Sequence, residues 1–184
     1  MKVVEHRTGR IDGRREVILR TPRLTLTSWR ADDAASLHEV HSDPETMQFV
    51  RSGRPESRPE VDQLVNQYRA EHALRGWTKW RLADLDDRLV GRAGFGGTVQ
   101  SRELSYVIRR SRWGVGLATE AAAALVDWHL AHAVAVPLRA IVAAGNDASA
   151  RVLEKVGFDE VGHEDFRGIP CRSFTHPDSA PSSS

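Results

Sequence analysis

The sequence predicts one mixed α/β domain, and three observations carry that prediction. RLTLTSWR (23–30) alternates with the two-residue period of a strand, and WGVGLATEAAAALVDWHLAHA (113–133) opens on glycines and continues as an Ala-rich helix. Strand-like and helix-like segments also interleave along the chain instead of falling into separate blocks. A chain of 184 residues is near the size of a single domain and buries roughly two thirds of its unfolded surface. With 40% hydrophobic and 28% charged residues, 14 Gly and 8 Pro, collagen-like, low-complexity and wholly disordered readings are excluded.

Residues 1–16 hold nine charged or His side chains and almost no apolar period, so they read as a loose arm. The domain is expected over 17–176, followed by a flexible tail over 177–184 that ends in SAPSSS. In the first strand Leu24, Leu26 and Ser28 alternate with Arg23, Thr25, Thr27 and Trp29, giving two distinct faces. Asp32 or Asp33 can cap AASLHEVH, where Ala34, Leu37, Val40 and His41 recur at helical spacing. A second helix is read from Pro59 to Leu74 on the stripe Val61, Leu64, Val65 and Tyr68, after a long loop, FVRSGRPESRP. WTKWRLAD, the turn DLDD and RLVGRAGFGG form a hairpin, and RELSYVIR is a further strand.

The helix after the glycines carries Leu117, Ala121, Leu125, Trp128 and His132 on one stripe. PLRAIVAA is an apolar strand, and Asn146 caps the helix DASARVLEKV. There Ser149 falls three residues past the cap, where its amide meets the Asn146 side chain. Gly157 followed by Phe158 has the form of a left-handed helix stop with its apolar contact. FDEVGHED and CRSFTH supply two final strands.

Charge and cysteine content narrow the partners. Lys plus Arg number 26 against 25 for Asp plus Glu, a net charge of +1, so no nucleic acid partner is expected. No apolar run approaches the length of a membrane span, and MKVVEHRTGRIDGRREV is too charged for a signal peptide. The lone Cys171 has no intrachain disulfide partner, and the expected location is cytoplasmic.

WGVGLATE (113–120) is the most informative stretch, because it joins a strand to a helix. Helix N-termini carry unpaired N–H groups and about half a positive charge, and glycines let a phosphate approach the backbone. A ligand-free turn with the same glycines is the competing reading. A Walker loop is excluded, since no Lys precedes a Ser or Thr here. A dinucleotide fingerprint fits poorly: RRSRW separates the strand from Gly114, Thr119 stands in the third glycine position, and no acid ends LRAIVAAG.

WGVGLATEA, followed by NDASARVLEKVGF and preceded by RELSYVI, resembles the GNAT acetyltransferase superfamily, and within it the RimJ/RimL branch of N-terminal acetyltransferases. TPRLTLTSWRADDAASLHEVHSDPETM is similar to that branch's opening. The resemblance spans roughly Leu19 to Gly162 and implies a central, mostly antiparallel sheet with helices on both faces. Acetyl-CoA would enter between two parallel strands that part, RELSYVIR and PLRAIVAA. It further implies pyrophosphate on the amides from Gly114 through Val115, Gly116, Leu117 and Ala118 to Thr119. Trp113 and Val107 complete that side, and Asn146 and Ser149 stand where the family contacts the pantetheine arm.

The implied reaction is acetyl transfer to a primary amine by direct attack, with a protein or peptide α-amine preferred. Such an amine has a pKa of ~7.7–8.0 against ~10.4 for Lys and needs only weak base help. Glu103 matches the strand Glu that often supplies that help through water; a solvated Glu at a strand's beginning is the alternative. Many relatives place an acidic Tyr where this chain has Leu153, so no general acid is named, and Tyr106 serves only if a bulge turns it toward the cleft. A non-catalytic acyl-CoA-binding module and an acetyltransferase for a small amine are the alternatives; a homodimer stays open.

Other candidates carry less. His38 with His41 and His129 with His132 lack an acidic or Cys partner at motif spacing, so no metal is expected. Cys171 reads as a partly buried strand thiol. Arg51, Arg54 and Arg58 line the loop where the family admits its acceptor, and Glu56 and Glu60 dilute that positive patch.

Overall fold

The computed structural model describes residues 15–50, 53–133 and 135–179. Its strands are β1 (Val17–Arg20), β2 (Leu24–Thr27), β3 (Lys79–Asp84), β4 (Leu89–Gly97), β5 (Arg102–Ile108), β6 (Leu138–Ala143), β7 (Asp159–Phe166) and β8 (Ile169–Thr175). The helices are α1 (Ala34–His41), α2 (Pro44–Met47), α3 (Arg58–Arg75), α4 (Leu117–His132) and α5 (Asp147–Lys155). The architecture is mixed α/β, one sheet in the order β1-β2-β3-β4-β5-β6-β8-β7 with β5 and β6 parallel. By compactness the chain divides into residues 1–94 with 106–117, and residues 95–105 with 118–184.

In the first unit β1 to β4 form antiparallel ladders, and α1 and α3 bury the two stripes read from the sequence. Trp29, Leu37, Val40, Leu64 and Tyr68 belong to one core cluster, each fully burying side chain worth roughly 1.5–3 kcal/mol. Trp29 stacks on Tyr68 at 6.1 Å between ring centroids, and its Nε1–H donates to the Lys79 carbonyl at 2.7 Å. Alternation predicted two faces for β2, yet all four of its residues are buried. Pairing with β1 and β3 makes it an interior strand, and the Arg20 guanidinium covers Thr25 through a 3.2 Å bond to Oγ1. Asp33 stands before α1 without capping it. Its carboxylate is occupied by the Arg30 amide at 2.7 Å and by the guanidinium of Arg15, with Arg81 at 3.3 Å. The sequence reading also lacked β1 and the single turn of α2, both too short to show a period.

In the second unit β8 pairs antiparallel with β6 on one side and β7 on the other. α5 begins with the Asn146 Oδ1 accepting from the Ser149 amide at 3.2 Å. It ends with Gly157 at φ +91°, where the Phe158 amide donates to Leu153 and the Gly157 amide to Glu154. Both ends are as expected. On α4 the stripe keeps a spacing of four through Leu117, Ala121, Leu125 and His129, so His129 is fully buried where Trp128 and His132 were expected. Trp128 is half-buried and stacks between Phe95 and His132, whose rings lie 5.6 and 4.3 Å away. Pro177–Ser179, assigned to the tail, form a 3-10 turn, and the buried Ser179 hydroxyl accepts from the Leu138 amide at 2.8 Å. Among the described residues no helix is long and apolar enough to cross a membrane.

Candidate functional site

The first unit holds the glycine turn. β5 ends, Arg110–Arg112 make one 3-10 turn, and Trp113 to Gly116 lead into α4. The Trp113 indole N–H donates to the Ile108 carbonyl at 2.7 Å, tying the entrance back to the strand, although the ring is 46% exposed. Gly114 and Gly116 take φ of +75° and +80°, the left-handed region where a side chain is strained. A Cβ at Gly114 would meet nothing within 4 Å, and one at Gly116 only the Arg23 guanidinium, at 3.6 Å. The turn therefore faces open space.

Its amides are available. Those of Gly114, Val115 and Gly116 donate to no protein acceptor among the described residues. Three adjacent free N–H groups, beside the positive end of the 16-residue α4, suit an anion such as pyrophosphate. Val115 is exposed, whereas Leu117 is buried and offers only its backbone. The Val107 side chain belongs to the core cluster with Trp29 and Leu37, which leaves its main chain for the role read from the sequence.

The second unit holds the other candidate residues. Ala118 and Thr119 are half-buried on the first turn of α4, and Asn146 and Ser149 half-buried at the start of α5. The β5–β6 ladder has its rungs at the beginning of both strands, Arg102 opposite Leu138 and Glu103 opposite Arg139. Glu103 is half-buried at the second position of β5. Leu153 is fully buried, so a side chain there faces the interior of its own unit.

Burial pushes the Cys171 thiol above its usual pKa, and the carboxylates of Glu164, Asp165 and Glu103 push it further. That thiol is a poor nucleophile, and its Sγ–H donates to the Ile169 carbonyl. Of these carboxylates Glu164 is already paired, with the Arg139 guanidinium at 3.2 Å and with the Ser173 hydroxyl. His129 is held below its usual pKa, first by burial, while its Nε2–H donates to the Val136 carbonyl at 2.8 Å.

The loop arginines have partners. Arg54 binds Glu60 at 2.5 Å, which helps lower the Glu60 carboxyl to about 2, and Arg58 binds Asp62 at 3.0 Å. Glu56 is buried against His41, at 2.8 Å, instead of facing the loop arginines. Arg51 lies outside the described residues. Sequence reasoning missed Arg23, which was read as a strand-face residue. Its Nη1 donates to the Val115 carbonyl at 2.8 Å, 92 positions away, and no local pattern signals such a contact.

The family model for an acetyltransferase (GNAT) domain matches residues 23–159. YkkB of Bacillus subtilis is 30% identical over 145 residues, covering 74% of this chain and 82% of that relative. The uncharacterized N-acetyltransferase YoaA of Bacillus subtilis is 26% identical over 149 residues, covering 79% and 84%. RimL, a ribosomal L7/L12 α-N-protein acetyltransferase in complex with coenzyme A, superposes with a TM-score of 0.75 at 18% identity, covering 90% of this chain and 99% of its own. Spermidine N-acetyltransferase from Vibrio cholerae, in complex with CoA and spermine, gives 0.70 at 20% identity, covering 86% and 99%.

Proposed function

Because this chain belongs to the GNAT acetyltransferase family, we propose that it transfers the acetyl group of acetyl-CoA to the α-amine of a protein or peptide N-terminus. Family membership makes it an N-acetyltransferase. The observation that carries the cofactor reading is the open row of amides at Gly114, Val115 and Gly116, the chemistry a pyrophosphate asks for. These amides would hold the pyrophosphate with those of Leu117, Ala118 and Thr119, and Trp113 would border it. Asn146 and Ser149 would meet the pantetheine arm, and Val107 would take part through its main chain. When bound, acetyl-CoA supplies an activated acyl group on a thiol that leaves readily near neutrality.

The chain's own task is then to bind the amine and manage its proton. An α-ammonium must lose one proton before it can attack, and with a pKa of ~7.7–8.0 it does so near neutral pH with modest help. Glu103 is assigned that help, taking the proton through an intervening water. RimL acts on a protein α-amine, which supports the same class of acceptor here. A small polyamine is the second reading, favoured by the spermidine enzyme's similar fold.

The test is thiol release from acetyl-CoA, with short peptides and with spermidine, from pH 6.5 to 9, for the wild type and Glu103→Gln. Peptide α-amines should be the better acceptors. The variant should lose roughly tenfold below the acceptor's pKa and much less at pH 9, where the amine deprotonates itself. No release with any acceptor refutes acetyl transfer, a preference for spermidine refutes the α-amine assignment, and an equal loss at every pH removes Glu103 as the base.

A further inference from the structure

Arg23 immediately precedes β2, whose first residue, Leu24, is fully buried, so the backbone that carries it is fixed. Its Nη1 donates to the Val115 carbonyl at 2.8 Å, and its Nη2 lies 3.6 Å from the point a Gly116 Cβ would occupy. The Val115–Gly116 peptide is trans, so its C=O and N–H point in opposite directions. A carbonyl turned toward Arg23 therefore turns the Gly116 N–H away from the guanidinium.

Among the described residues no other hydrogen bond fixes the Val115–Gly116 peptide. Flipping the peptide would change ψ of Val115 and φ of Gly116 together, and glycine accepts either sign of φ about equally. The glycine that makes the present turn possible also makes its mirror available. In the flipped state the Val115 oxygen, not the Gly116 N–H, would lie on the side where an anion is read, and a carbonyl repels phosphate.

We infer that Arg23 is a positioning residue of the cofactor turn: by holding the Val115 carbonyl it selects the peptide orientation that presents the Gly116 amide to pyrophosphate. The inference rests on the acetyl-CoA reading above. A ligand that needs one of two conformers binds more weakly by the fraction of molecules in the competent one. One exposed hydrogen bond of ordinary net strength shifts such a balance by roughly three- to tenfold.

The experiment has two arms on the full chain, each with Arg23→Met and Arg23→Lys. In the first, residual dipolar couplings of 15N-glycine-labelled protein without cofactor report the direction of the Gly116 N–H. Wild type should show the orientation described, Arg23→Met a shifted, averaged value, and Arg23→Lys, which can still reach a carbonyl, a value nearer wild type. The second compares kcat/KM for acetyl-CoA and for S-acetylpantetheine, which lacks pyrophosphate. Arg23→Met should reduce the preference for acetyl-CoA by the factor by which the competent fraction falls, at most about tenfold, through KM and not kcat, with partial recovery in Arg23→Lys. An unchanged Gly116 coupling in both variants overturns the inference, and so does an equal loss with both substrates. Should Arg23→Met fail to fold, Arg23→Lys decides it, since a Lys variant as impaired with S-acetylpantetheine as with acetyl-CoA also overturns it. Absence of turnover in the wild type speaks against acetyl transfer and leaves the first arm to judge Arg23.

Discussion

The helices α4 and α5 each begin near a glycine or asparagine after a strand, and they treat their first amides in opposite ways. At α5 the chain satisfies itself: Asn146 accepts from the Ser149 amide, and Gly157 closes the far end with two bonds back to Leu153 and Glu154. At α4 the turn leaves Gly114, Val115 and Gly116 without a protein acceptor and places Arg23 on a carbonyl instead. A capped terminus contributes stability, whereas an open one keeps its donors for a ligand. Substitutions in the two turns should accordingly change different measurements.

Gly116→Val should have the largest effect. A β-branched residue at φ +80° is a conformational outlier, so the turn must shift, while the position itself faces open space and no core contact is lost. Acetyl-CoA affinity should fall more than tenfold by calorimetry, with a loss of stability of about 1–2 kcal/mol in denaturant. Affinity unchanged in a folded variant would move the phosphate site away from this turn and erase the contrast with α5.

Asn146 sharpens the contrast from the other side. Asn146→Ala should destabilise by about 1 kcal/mol through the lost cap, and Asn146→Asp should restore stability because Asp caps as well as Asn. If the side-chain amide also meets the pantetheine arm, Asn146→Asp should recover the melting temperature but leave KM for acetyl-CoA raised a few-fold. Recovery of both would make Asn146 a cap and nothing more.

The difference between these helices also explains what was legible in the sequence. The Asn146 cap, the Gly157 stop and the stripes of α1 and α3 are local patterns, fixed by residues three or four apart. The glycine turn was likewise visible between a strand and a helix, a pattern that a ligand-free turn shares, and its cofactor role came from the resemblance. What escaped depends on distant partners. Arg23 finds Val115 across 92 positions, Asp33 gives up its cap to Arg15 and Arg81, and on β2 the Arg20 guanidinium covers Thr25.

The smallest expected effect tests how α4 is held at the end away from its open turn. His129 lies one turn before the helix ends, fully buried, with Nε2–H bound to the Val136 carbonyl. Its Nδ1 has no partner among the described residues, so a second proton there would be a buried charged donor without an acceptor. Burial accordingly holds the imidazole below its usual pKa. In the unfolded chain the same ring titrates near 6.5. Above that pH both states are neutral and His129 contributes no pH dependence. As pH falls below about 6.5 the unfolded state takes up the proton first, so stability falls with pH, by no more than about 1.4 kcal/mol per unit for one proton. His129→Gln keeps an N–H for Val136 and removes the titration. Its urea-unfolding free energy should decline less than the wild type's between pH 7 and pH 5, the two curves converging as pH falls. Parallel curves would mean that His129 takes up its proton alike in both states.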